Sequence, residues 1–351
     1  MIGRDFWPGK RVLVTGHTGF KGSWLALWLH SLGARVHGYA LEPVSKPALW
    51  TLLDLGREVK SRIADVRDLA GVRRAFEEAQ PEIVLHLAAQ SLVRPSYDDP
   101  VGTYATNVMG TAHVLEAARH SQATRVVINV TSDKCYENRE TNQAYVETDA
   151  MGGHDPYSSS KGCSELVTSA YRKSFPKASA GIATGRAGNV IGGGDWSADR
   201  LIPDLVRATL RGDAAMIRNP GAIRPWQHVL EPLAGYLMLA ERLWSDPARF
   251  SGGWNFGPSL EDALPVKDVA DTFVRTWGKP ASWKTDGGKH PHEAHYLRLD
   301  ATKASRELGW KPRLGIKDAI AWSADWYRKQ AAGAAARELC LAQIAQYGKA
   351  A

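Results

Sequence analysis

The chain has 351 residues, 44% of them hydrophobic and 23% charged, with 44 Lys and Arg against 37 Asp and Glu for a formal charge of +7. This is an ordinary globular composition, long enough for about two structural units. No apolar run approaches the roughly 20 residues that span a bilayer, no basic run is interleaved with aromatic residues, and the three cysteines are odd in number and far apart, which argues against a membrane protein, a nucleic-acid partner and a disulfide framework.

The first ten residues include Asp5 and no apolar core segment, so no leader peptide is expected, and the cysteine usage suits a reducing cytoplasm. Residues 11–15 (RVLVT) predict a strand, 21–32 a helix, 34–41 a second strand and 58–63 a third. A helix at 69–79, a buried strand at 82–88, a helix at 100–120 and a strand at 125–131 follow. Near-continuous apolar strands alternating with helices predict an α/β fold, a Rossmann-type doubly wound parallel sheet with helices on both faces. Residues 133–157 read as a long polar loop, of the kind that carries function, and 157–174 and 180–186 as a helix and a strand. Beyond the Gly-rich break at 192–195 come short mixed elements, a short strand at 254–256 and an Ala-rich helical tail at 319–351. The expected division is a dinucleotide-binding domain at 1–190 with a later contribution from about 225–258, a smaller substrate-binding lobe mainly at 191–330, and a tail at 331–351.

Gly16-His17-Thr18-Gly19-Phe20-Lys21-Gly22 joins the first strand to the first helix. Glycines there permit a tight turn and close approach of the backbone to a pyrophosphate on the helix N-terminus. The spacing is not that of a P-loop. An acidic residue closing the second strand would hold a ribose, but only a late Glu42 is present; no Arg cluster suits a 2′-phosphate, so NAD is preferred over NADP. Asp65 and Val66 are candidates for adenine, and the small residues of Leu87-Ala88-Ala89-Gln90 would let a cofactor lie over the backbone, with Asn107 behind them. Tyr157 and Lys161 share a helix face at i, i+4. A nearby ammonium favours the phenolate, which can take a hydroxyl proton while hydride leaves for a nicotinamide. Ser132, closing the strand at 125–131, can orient that hydroxyl.

These motifs, with TSDKCYEN (131–138), MGGHDPYSSSKG (151–162), GNVIGGGDW (188–196), DRLIPD (199–204) and RPWQHVLEP (224–232), carry a resemblance over nearly the whole chain. It resembles the extended short-chain dehydrogenase/reductase superfamily of NAD-dependent epimerases and dehydratases and, within it, the branch of 4,6-dehydratases that act on CDP-glucose. The resemblance implies oxidation at C4 with hydride passing to NAD, loss of water across C5 and C6, and return of the hydride to C6. Tyr157 and Lys161 would be the base pair for C4 and Ser132 its positioner. Relatives acting on dTDP- or GDP-sugars carry Asp-Glu where this chain has Asp133-Lys134. Asp133 would need a raised pKa to protonate the departing hydroxyl. Lys134 would either take the C5 proton as a neutral base or stabilise the enolate charge. Asn189, Arg218 and Arg224 resemble groups that hold the sugar diphosphate, Arg200, Leu201 and Pro203 match a nucleotide loop, and Gln90, His228, Tyr296 and Trp196 are further substrate candidates. The histidines of 290–295 lack metal-ligand spacing, so no metal is expected, and that stretch reads instead as a substrate-closing loop. A homodimer through the helices near 103–118 and 157–174 is implied. The alternatives are another nucleotide-sugar 4,6-dehydratase, a 4-epimerase, which has no use for an acid/base pair at 133–134, and a non-catalytic NAD-sensing regulator, which commonly lacks the Tyr and Lys.

Overall fold

A computed structural model describes residues 2–3, 5–175, 180–288 and 294–349. The first half alternates strand and helix: β1 (Arg11–Thr15), α1 (Phe20–Ser31), β2 (Arg35–Ala40), the short α2 (Leu49–Leu53), β3 (Lys60–Ile63), α3 (Leu69–Ala79) and β4 (Ile83–His86). Then come α4 (Val93–Asp98), α5 (Pro100–Tyr104), α6 (Gly110–His120), β5 (Val126–Val130), α7 (Pro156–Ser174) and β6 (Gly181–Ala187). The second half holds β7 (Asn189–Ile191), α8 (Leu201–Arg211), β8 (Ala215–Ile217), β9 (Ile223–His228), α9 (Leu230–Ser245), α10 (Pro247–Phe250) and β10 (Gly252–Phe256). It closes with β11 (Ala263–Pro265), α11 (Val266–Trp277), β12 (Trp283–Thr285), α12 (Ile316–Ala331) and α13 (Ala336–Lys349).

Seven strands form one parallel sheet in the order β10-β6-β5-β4-β1-β2-β3. Every residue of β4 and β5 is buried, because helices cover both faces; this is why these strands read as unbroken apolar runs. One face packs Trp24, Leu25 and Leu29 of α1 and Leu233 and Leu237 of α9 against the sheet. The other packs Val72 and Phe76 of α3 and Val114 and Leu115 of α6. The order of strands reverses between β1 and β4, and their C-terminal ends open a crevice there. The smaller sheets, β11-β9-β7 and β12-β8, stand over that crevice.

Three features differ from the sequence-based expectation. The helix expected at 100–120 contains a π-helical turn at Ala105–Met109, a type of local insertion that hydrophobic periodicity does not reveal. The polar loop opens with a 3₁₀ turn at Asp133–Cys135, whose start is capped by Ser132. The tail is two helices, broken where Gly333 takes φ +95°. Its last helix docks on the body: the Tyr347 hydroxyl donates to the buried Glu231 carboxylate at 2.7 Å, and Cys340 is fully buried. Among the described residues, no helix is long and apolar enough to cross a membrane.

Candidate active site

A cavity of about 500 Å³ runs along the C-terminal ends of β1, β2, β4 and β5 and continues beneath β7, β8 and β9, within the range of small-molecule sites. The glycine turn forms one wall. Gly16 takes φ +75°, and a Cβ there would lie 2.7 Å from the Ala88 amide nitrogen. A Cβ on Gly22 would lie 2.1 Å from the Gly16 carbonyl oxygen, so α1 can approach the turn only without a side chain. At Gly19 the nearest atom to an added Cβ is 3.4 Å away, and no side chain caps the first turn of α1. The cradle is therefore tight where backbone packs and open where helix amides face the cavity, which fits a dinucleotide pyrophosphate. Thr18, Phe20, Lys21, Asp65, Val66, Leu87, Ala88 and Ala89 also line it. The Arg67 guanidinium clasps the Asp65 carboxylate at 2.6 and 2.8 Å and holds its pKa below the usual value.

Ser132, Asp133, Lys134, Tyr157 and Lys161 converge on the opposite wall. The Ser132 hydroxyl, in extended backbone at the end of β5, donates to Asp133 Oδ1 at 2.8 Å and accepts from the Lys134 amide at 3.2 Å. Asp133 Oδ2 is buried without a partner among the described residues. Burial pushes the Asp133 carboxyl above its usual value, against the Lys134 charge, the Ser132 hydrogen bond and the Arg224 charge. Lys161 Nζ donates to the Val130 carbonyl at 3.3 Å, and burial lowers its pKa to about 8, with Glu165 opposing. Tyr157 departs from the expectation of a lowered phenol: burial pushes it up to about 12, and the Ser132 hydrogen bond and the Arg200 charge pull it back only in part. In the protein alone that phenol is neutral at pH 7. The arrangement holds a phenol, a serine hydroxyl, a lysine side chain and a carboxyl with a free oxygen around one space.

Residues 13–253 match the family model described as GDP-mannose 4,6 dehydratase. The chain is 53% identical over 334 residues to CDP-glucose 4,6-dehydratase of Salmonella typhimurium, with 93% of each chain covered. It belongs to the GDP-mannose 4,6 dehydratase family. It is also 29% identical to dTDP-glucose 4,6-dehydratase of Shigella flexneri over 75% of this chain and 77% of that one. Among solved structures, MoeE5 in complex with UDP-glucuronic acid and NAD superposes with a TM-score of 0.76 at 26% identity, covering 92% of this chain and all of that one. DesIV of Streptomyces venezuelae, a dTDP-glucose 4,6-dehydratase solved with NAD and TYD bound, superposes with a TM-score of 0.78 at 23% identity, covering 92% and 98%.

Within this dehydratase-family fold, Asn189, Arg200, Leu201, Pro203, Arg218 and Arg224 line the cavity on the side of the smaller sheets, as does Trp196. Five candidates do not line it. His17 turns inward, with Nε2 2.7 Å from the Ser61 hydroxyl and its ring edge-on to Trp50; burial lowers its pKa to about 4. Asn107 donates to the Gln90 carbonyl and the Ser160 hydroxyl, and Gln90 closes its own loop through Leu92 and Thr103, so both brace the wall from behind. His228 lies in the core with no exposed surface. Tyr296 is an exposed residue whose carbonyl accepts from Asn138. Of the histidine stretch, 290–293 lie outside the described residues.

The structure also adds residues that sequence reading missed. Asp199, in left-handed backbone at φ +61°, accepts from Arg94 at 3.0 Å and from Arg218. It thereby links α4 to the segment just after β8 along the cavity. Nothing local marks that triad, because its members are 105 and 19 residues apart. Glu42, apparently too late to serve the second strand, does line the cavity beside Leu41 and Ala40.

Proposed function

We propose that this chain is an NAD-dependent CDP-glucose 4,6-dehydratase, a hydro-lyase that yields CDP-4-keto-6-deoxyglucose. The observation that carries the reading is Asp133: a buried carboxyl with one oxygen held by Ser132 and the other free, next to Tyr157. Simple 4-epimerisation has no use for such an acid, whereas water loss needs one. The 53% identity to a CDP-glucose 4,6-dehydratase supports the same substrate. When bound, NAD supplies the hydride acceptor for C4, the hydride returned to C6 and the nicotinamide charge that favours the Tyr157 phenolate. Tyr157 takes the C4 hydroxyl proton and Ser132 orients that hydroxyl. Asp133 gives its proton to the leaving C6 hydroxyl, which departs as water, and Lys134, next to it on the same wall, takes the C5 proton as a neutral amine. Arg218 and Arg224 hold the diphosphate, as guanidinium groups suit paired oxygens.

The cofactor half comprises 1–190 with about 225–258, because α9 packs on the sheet and β10 extends it at the β6 edge. The 191–330 segment supplies the sugar-nucleotide side. The apolar residues Val101, Met109 and Leu166 stand exposed on the α5–α6 stretch and on α7, and this surface pairs two copies in a homodimer. A nucleotide-sugar substrate and NAD support a cytoplasmic reaction.

The test is mass spectrometry of the protein with NAD and CDP-, dTDP-, GDP- or UDP-glucose. Loss of one water from the CDP sugar, with no net NADH, is expected, and Asp133→Asn should abolish that loss. An unchanged mass with a new epimer on chromatography would replace the dehydratase reading with an epimerase.

A further inference from the structure

Behind the catalytic wall lies a buried ion pair that the reaction scheme does not use. Glu165 stands one turn beyond Lys161 on α7, and Arg186 stands on β6; both are about 95% buried. The Glu165 carboxylate is fully engaged. Oε1 accepts from the Thr131 hydroxyl at 2.5 Å and from Arg186 Nε at 2.9 Å. Oε2 accepts from the Thr184 hydroxyl at 2.8 Å and from Arg186 Nη2 at 2.7 Å. Arg186 Nη1 goes on to the Tyr136 hydroxyl at 2.7 Å, and that hydroxyl donates to Asn255 Oδ1 at 2.7 Å.

The partners are placed tellingly. Thr131 is the residue before Ser132. Tyr136 follows the turn that carries Asp133 and Lys134. Lys161 shares the helix with Glu165. One carboxylate and its guanidinium thus tie together the strand end, the turn and the helix that bring the acid, the base and its orienting hydroxyl to one cavity. We propose that Glu165 is a positioning residue: through Thr131 and Arg186 it holds Ser132 and Asp133 in register with Tyr157, and its charge keeps Lys161 an ammonium. This rests on the catalytic assignment proposed above.

The electrostatic surroundings of Lys161 support the second half. Glu165 on its own helix raises its pKa and burial lowers it. The Lys21 amine faces it from α1, neutral His86 from β4 and the Cys135 thiol from the turn after β5. Glu165 is the nearby carboxylate that offsets burial. Without it, Lys161 loses its proton at lower pH.

Three variants test the inference. Glu165→Gln keeps the volume and removes the charge. Glu165→Gln with Arg186→Met removes both charges, so that no buried guanidinium is left without a counter-ion. Thr131→Val breaks only the bond to the strand end. With CDP-glucose and NAD, kcat should fall about 100-fold in all three, the scale of a misplaced reacting group, with KM within about twofold. In the first two, the alkaline limb of the kcat profile should move about one pH unit toward acid; in Thr131→Val it should stay. Competitive acetylation of Lys161 with acetic anhydride, read by mass spectrometry across pH, reports the same titration without turnover. A midpoint for Lys161 that does not move in whichever charge variant is folded overturns the electrostatic role. An unchanged kcat in folded Thr131→Val overturns the positioning role. If the wild-type protein leaves CDP-glucose unchanged, the proposed function falls while the acetylation midpoints still decide this inference.

Discussion

Lys21, in the first turn of α1, lines the cavity. Its ammonium rests 3.3 Å from the Tyr236 hydroxyl, and burial, with the Arg200 and Lys161 charges, lowers its pKa to about 7, Asp133 opposing. Because the folded value is below the unfolded one, the unfolded chain binds the extra proton between about pH 7 and 10.5, and stability rises with pH across that window. The fall corresponds to at most about 5 kcal/mol, and contact with solvent in the open cavity reduces it. Lys21→Met removes the charge at nearly constant volume. Urea denaturation of the protein without NAD should show the variant more stable than wild type at pH 7, by up to a few kcal/mol, and the gap should close as pH approaches 10. A gap that is constant with pH would mean that Lys21 is charged at no cost. At this same scale the sequence was most informative: Ser132, Tyr157 and Lys161 stand out by type and spacing and Asp133 through the family resemblance, and the cavity gathers all four. What spacing does not convey is side-chain direction: His17 lies within the glycine motif, yet its ring packs on Ser61 and Trp50.

At the scale of elements, α1 and its turn separate two uses of glycine. An added methyl at Gly22 meets the Gly16 carbonyl oxygen at 2.1 Å, backbone against backbone, so α1 must shift. Overpacking of this kind costs about 1–3 kcal/mol. At Gly19 the methyl meets nothing closer than 3.4 Å and would project into the space read here as the pyrophosphate site. Gly22→Ala should therefore lower the thermal midpoint and NAD affinity together, and Gly19→Ala should weaken NAD binding at a nearly wild-type midpoint. Thermal unfolding with and without NAD checks both; a Gly19→Ala protein with full affinity would remove the pyrophosphate from the turn. Most strands were legible because they are apolar throughout and bounded by polar turns. The pieces that were not legible have two causes. The π turn at Ala105–Met109 and the break at Gly333 interrupt helices within helix-favouring sequence, so the period on either side conceals them. The small sheets β11-β9-β7 and β12-β8 are built from strands of three to six residues, too short to show alternation.

At the scale of the whole molecule, three of the exposed large apolar side chains among the described residues stand on helices that flank the sheet. Val101 is 78% exposed, Leu166 60% and Met109 51%, although most other large apolar side chains of the sheet's helices are buried. They stand on the α5–α6 stretch and on α7, the helix that also carries Tyr157 and Lys161 and that packs against α5 and α6. A second copy covering this face would bury apolar surface at about 25 cal/mol per Å² and would brace the catalytic helix from outside, while Glu165 and Arg186 brace it from inside. Leu166 projects outward one residue beyond Glu165, so Leu166→Glu alters the surface and leaves the inner pair in place. Light scattering after gel filtration should show a dimer for the wild-type chain and a monomer for this variant at micromolar concentration. Because α7 would then lose its outer support, the variant should also unfold at a lower temperature, with a midpoint that no longer depends on protein concentration. A wild-type monomer at the same concentration would assign these exposed residues to some other partner. A dimer that survives Leu166→Glu would move the interface off α7, and the catalytic helix would then be held by the buried pair and the sheet alone.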